Sequence, residues 1–110
     1  MDRTTPEVVT RYFRAADAGD IDALAECFTV DGTVVDENVT FTGREEIIGW
    51  RKGLVGKWTY TSEVLGSRPL SADEFEVTVE LRGDFPGGEV TLTYHFRIRD
   101  DRIAALSIAA

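Results

Sequence analysis

Three residues with acid–base chemistry occupy positions in this chain that could face an enclosed cavity. Tyr12 lies in the helix-like stretch TRYFRAADAG, and Asp36 ends the β-branched run Thr33-Val34-Val35-Asp36. Tyr94 alternates with Val90, Leu92, Phe96 and Ile98 and so belongs to the apolar face of a strand. A phenol shielded from water can donate a hydrogen bond to a developing oxyanion, and a desolvated carboxylate can take a proton from carbon. Together they could move a proton on an apolar carbonyl compound. Each also has a plainer account. Tyr12 shares a helical stripe with Val9, Phe13 and Ala16 and could be a core tyrosine satisfied locally. Asp36 faces inward with Val34, or else it is a turn residue ahead of Glu37-Asn38. Tyr94 could be core packing.

Other chemistries find less support. His95 is the single histidine and points away from Tyr94 by alternation, while Cys27 is the single cysteine. That combination excludes an internal disulfide and a cysteine-rich zinc site, and leaves no Ser-His or Cys-His nucleophile. Neither a metal nor an organic cofactor is expected. With 20 Asp plus Glu against 12 Lys plus Arg, the net charge is -8, which disfavours nucleic acid and anionic membrane surfaces. The opening MDRTTPEVV has no apolar h-region and no run reaches membrane-spanning length, so a cytoplasmic protein is expected.

At 110 residues the chain is read as one domain, 1–110. Thr4 or Thr5 with Pro6 and Glu7 marks a helix start. Gly19 closes that helix and Asp20 caps a second, whose stripe is Ile21, Leu24, Ala25 and Phe28. Asp31-Gly32 reads as a turn before the strand Thr33 to Asp36. Thr42 to Glu45 has capping-box spacing ahead of a third helix with Ile47, Ile48, Trp50, Arg51 and Leu54, stopping near Gly53 or Gly56. From Trp58 the period becomes two. Trp58 and Tyr60 share a face, as do Phe75, Val77, Val79 and Leu81, and a hairpin loop runs from Asp84 to Gly88. The last strand, Arg102 to Ala109, reads as apolar on both faces, which predicts a homodimer through the sheet. The fold class is α+β: a curved antiparallel sheet with three N-terminal helices, forming a cone-shaped pocket.

The AGDIDAL block at 18–24, the Phe28-x-x-Asp31 pattern, TGREEIIGW at 42–50 and the late strands resemble the nuclear-transport-factor-2-like superfamily over essentially the whole chain. Its members include SnoaL-like polyketide cyclases, ketosteroid isomerases, epoxide hydrolases, dehydratases and non-catalytic binding domains. Similarity to the isomerases implies Tyr12 as a donor to the substrate carbonyl and Asp36 as the base. Those isomerases carry a protonated aspartate directly before His-Phe-Arg; here Tyr94 precedes His95-Phe96-Arg97. A phenol can still donate there, though it is longer and would shorten the cavity.

These readings imply a hydrophobic small molecule as ligand, with Asp36, Tyr12 and Tyr94 as catalytic residues. Phe13, Val34, Trp58, Tyr60, Val79 and Phe96 would supply the pocket wall. Isomerisation and cyclisation both begin with proton removal beside a carbonyl. The alternatives are a non-catalytic ligand-binding or protein-interaction domain, and a hydrolase or dehydratase using pocket carboxylates.

Overall fold

The computed structural model describes residues 5–110; Thr4, one of the two threonines read as a helix start, lies outside them. The first helix, α1, is Glu7–Ala18. Pro6 precedes it with φ −61°, a value its ring imposes and the helix entry accepts, and no side chain caps the end. Thr5 instead directs its hydroxyl to that of Ser67. The buried stripe is Val8, Val9, Tyr12, Phe13 and Ala15. Gly19 ends the helix in the left-handed region at φ 70°, and Asp20 starts α2 (Ile21–Glu26) by accepting the Ala23 N–H at 3.1 Å.

Strand β1 is Phe28–Asp36, five residues longer at its start than expected. Phe28 therefore belongs to the sheet, not to the α2 stripe. Asp31-Gly32 is not a turn but an irregularity inside the strand, where the register against the last strand shifts between Phe28 and Thr33. Position 32 is crowded: a Cβ there would stand 3.1 Å from the Thr29 carbonyl oxygen and 3.2 Å from that of Ile103, so any other residue makes the backbone give by a few tenths of an ångström. Glu37 and Asn38, at φ 51° and 64°, then form a two-residue turn into β2 (Val39–Thr42), a strand the sequence reading lacks.

Helix α3 is Arg44–Lys57 and passes both Gly53 and Gly56 before Trp58 closes it. Each interior glycine costs roughly 1 kcal/mol. Burial of Ile47, Trp50 and Arg51, with Leu54 packed against the core, offsets that. The expected capping box is offset by one residue: Glu46 Oε1 accepts the Thr42 N–H at 2.8 Å, while Gly43 sits at the N-cap with φ 87°.

Strands β3 (Tyr60–Pro69), β4 (Glu74–Gly83), β5 (Glu89–Arg99) and β6 (Arg102–Ala109) complete a six-stranded sheet of order β2-β1-β6-β5-β4-β3. Only β1 and β6 run parallel. The fold is α+β, three helices on one face of a curved, mostly antiparallel sheet.

The structure corrects the reading of β6. Arg97 pairs with Ala105 and Ile98 with Ile103, so Ala104 is an extra residue that reverses the alternation. Ile103 and Leu106 are consequently both fully buried in the one core. The outward row carries Ala105, Ser107 and Ala109 beside Arg97, His95 and Thr93. With this bulge β6 turns its large apolar side chains to one face and not to the two from which a homodimer was predicted.

The core is an aromatic cluster. Tyr12 lies edge-on to Phe13, Phe28, Tyr94 and Phe96 with ring centroids 5.1 to 6.4 Å apart. It fills one end of the cone and leaves the other hollow. No helix among the described residues is long and apolar enough to cross a membrane.

Candidate active site

The hollow end is a cavity of about 600 Å³. Trp50 and Leu54 of α3 form one wall, Trp58 and Tyr60 the next, and Leu81, Leu92 and Ile108 the sheet floor. Phe85, from the β4–β5 hairpin, closes the side by packing edge-on against Trp58 and Tyr60, each at 6.4 Å. Glu37 and Asn38 stand at the mouth, and both are exposed.

Sheet register settles which way Asp36 points. It pairs with Ile108, Ile108 pairs with Tyr94, and Tyr94 pairs with Val77, so these four residues form one row across the inner face. Asp36 and Tyr94 stand two strands apart, roughly 10 Å between backbones. Both line the cavity. Asp36 is partly buried, and its Oδ2 accepts the indole N–H of Trp50 at 3.0 Å. No hydrogen bond engages its Oδ1 among the described residues, which leaves that oxygen for a ligand.

Tyr12 is placed differently. Its side chain is 1% exposed and does not line the cavity, and its hydroxyl has no hydrogen-bond partner. Burial pushes its pKa well above the usual phenol value, against a smaller opposing effect of the Arg51 charge. The Tyr94 phenol is raised too, again chiefly by burial, with Tyr12 and Tyr60 adding to the effect. Both hydroxyls thus hold their protons and can donate them in a hydrogen bond. Trp58 and Tyr60 lie on the cavity wall, whereas Phe13, Val34, Val79 and Phe96 are buried in the packed core and do not line it.

Arg51 is a buried residue behind the cavity wall that sequence reasoning did not single out. It is 4% exposed, and its Nη1 donates to the Tyr60 hydroxyl oxygen at 2.7 Å. Its guanidinium lies 5.5 Å from the Trp50 ring centre and 5.6 Å from that of Tyr60. Burial opposes the charge, but the phenols of Tyr12, Tyr60 and Tyr94 outweigh it and hold the Arg51 pKa above the ordinary value. The signal was present in the sequence: Arg51 falls four residues after Ile47 and three before Leu54, on the buried stripe. Phe85 gave no comparable signal, because a loop has no periodicity to read. Among the described residues, no three His, Cys, Asp or Glu side chains converge as metal ligands would.

The known proteins that resemble this chain agree on its architecture. A candidate polyketide cyclase from Sinorhizobium meliloti is 39% identical, with a TM-score of 0.89 and 94% of each chain covered. A Catenulispora acidiphila protein with a ketosteroid isomerase-like fold, solved with trimethylamine, is 26% identical with a TM-score of 0.88, covering 97% of this chain and 87% of that one. A Mycobacterium tuberculosis protein solved with estradiol-17β-hemisuccinate shares the fold at a TM-score of 0.79 and 16% identity, covering 93% and 89%. No curated protein matches. Residues 9–106 match the SnoaL-like domain family, and the chain belongs to it.

Proposed function

We propose that the cavity binds a hydrophobic carbonyl compound and that Asp36 removes a proton from the carbon beside the carbonyl. One observation carries this reading: Asp36 and Tyr94 share an inner row of the sheet and face the same apolar cavity. The Asp36 carboxylate takes the proton, the C–H electron pair forms the enolate double bond, and the carbonyl π pair moves to oxygen. A buried phenol that keeps its proton, as Tyr94 does, stabilises that oxygen by hydrogen bonding. Tyr12 backs Tyr94 from within the core, 6.4 Å ring to ring, without reaching the cavity. Return of the proton to another carbon gives isomerisation; attack of the enolate on a second carbonyl gives cyclisation. Support from relatives comes from the candidate polyketide cyclase and from the steroid held by the mycobacterial protein.

The hydrolase reading is weaker. It needs two carboxylates and an arginine around one water, and the second acid at this cavity, Glu37, is exposed on a turn. Pairing of two copies through the outer sheet face, in the cytoplasm, belongs to the same proposal; sedimentation equilibrium checks the pairing, and a monomer removes it.

The test is isomerisation of a β,γ-unsaturated ketosteroid followed by ultraviolet absorbance, together with deuterium uptake beside the carbonyl of smaller apolar ketones. Turnover abolished by Asp36→Asn is the expected result. Binding of these ketones without turnover or exchange by the wild type would replace the enzyme with a non-catalytic binding protein.

A further inference from the structure

We propose that Tyr60 is a catalytic hydrogen-bond donor to the ligand's oxyanion, with Arg51 behind it as the residue that positions and polarises it. The inference rests on reading the cavity as a carbonyl site and adds to Tyr94 a second donor for the oxygen, one backed by a cation. It starts from an unusual burial. Arg51 is 96% withdrawn from solvent, yet no carboxylate lies within ion-pair distance of it among the described residues. A guanidinium in that state has lost its hydration without gaining a counter-ion. Its Nε has no hydrogen-bond partner either. Two aromatic faces and one hydroxyl are what the protein offers it.

That hydroxyl is the link to the cavity. The Tyr60 oxygen accepts the Arg51 N–H at 2.7 Å, so the proton on that oxygen is free to be donated elsewhere. No protein acceptor takes it among the described residues, and Tyr60 forms part of the cavity wall. Of the three phenols near Arg51, Tyr12 does not line the cavity, and Tyr94 lines it without a bonded cation. Trp50 ties base and donor together: its N–H holds Asp36 and its ring flanks Arg51.

The charge balance favours this assignment. Before reaction the interior of the site holds the Asp36 carboxylate, the Arg51 guanidinium and a neutral ketone, with Glu37 exposed at the mouth. When Asp36 takes the proton, the negative charge passes to the enolate oxygen, and an oxygen hydrogen-bonded to Tyr60 lies one hydroxyl away from Arg51. The buried cation then meets an anion only as the reaction proceeds, which is the condition for stabilising the transition state over the ground state.

2-Naphthol tests this without requiring turnover, because its anion resembles an enolate and its ionisation is read from fluorescence. Bound to the wild type, it should ionise at lower pH than in water. Tyr60→Phe, which removes only the hydroxyl, should weaken that ionisation about tenfold, equal to one pH unit. Arg51→Met should do the same, and Arg51→Lys, which keeps the charge, should recover part of the effect. Asp36→Asn, which removes a carboxylate facing the same cavity, should strengthen it while abolishing turnover, so failure of the base and failure of the donor are separable. Equal ionisation on wild type and Tyr60→Phe would overturn the inference. So would a wild type that does not bind naphthol at millimolar concentration, since an apolar oxyanion is what the site is built to hold.

Discussion

The indole of Trp50 fixes the rotamer of Asp36 through a 3.0 Å hydrogen bond while its ring lies against Arg51. Trp50→Phe keeps most of the ring but deletes the donor, so Asp36 loses orientation. Turnover should fall about tenfold, and urea unfolding should show a loss of about 1–2 kcal/mol, the range for a hydrogen bond to a charged group that is partly solvated. Tyr12→Phe should do the opposite. It removes a buried hydroxyl with no partner, so it should stabilise the protein by about 1 kcal/mol and leave turnover within a few-fold. The same variant tests the effect of burial on the phenols. Tyr12 and Tyr94 have pKa values raised above the unfolded value of about 10, so their contribution to stability is fully present below that pH. As pH rises further, the unfolded chain releases protons that the folded chain keeps. Stability should then fall by about 1.4 kcal/mol per pH unit for each phenol. The unfolding midpoint should drop between pH 9 and pH 11 in the wild type and drop less in Tyr12→Phe, where Tyr94 and the Cys27 thiol, also raised by burial, remain.

At the scale of elements, the most exacting joint lies where the end of β4 passes beneath the start of β3. Gly83 pairs with Tyr60, and a Cβ at position 83 would lie 2.3 Å from the Thr59 carbonyl oxygen and 2.5 Å from Tyr60 Cβ. These neighbours include backbone, which cannot swing away as a side-chain tip can. Gly83→Ala should therefore cost about 3 kcal/mol in urea unfolding and displace Tyr60, weakening ligand and naphthol binding even where the fold survives. No sequence pattern announces such a contact. Elements with a long period were legible: the α1 stripe, the Gly19-Asp20 break, and the alternation of β4 and β5 that puts Tyr94 inward. What escaped was set by pairing between distant strands. The bulge at Ala104 made β6 look apolar on two faces, and the irregular middle of β1 looked like a turn. β2 is four residues long and enters through Glu37-Asn38, which lacks the glycine that usually marks such a turn. The orientation of Asp36 was undecidable from its own strand and became definite only through its neighbours Ile108 and Tyr94. Arg51 was visible on a buried stripe, but its polarity argued against reading it as buried.

For the molecule as a whole, the cavity means that one end of the core is missing, and under the proposed function a ligand supplies it. Anything that binds the folded chain alone adds stability that grows with concentration, about 2.7 kcal/mol at one hundred times the dissociation constant. For a domain of this size that should raise the melting temperature by roughly 10–20 °C. An apolar ketone of steroid size should produce the shift, and a small polar ketone at equal concentration should not, because the walls are mostly aromatic and aliphatic. Leu92→Trp separates cavity filling from binding elsewhere. Leu92 lies on the inner face of β5 opposite Val79 and lines the hollow, so a larger ring there occupies ligand space without entering the Tyr12 cluster. The variant should fold with a melting temperature at or above that of the wild type and lose the ligand-induced rise. If the rise persists unchanged in Leu92→Trp, the ketone is bound outside the cone, and Asp36, Tyr60 and Tyr94 do not meet it.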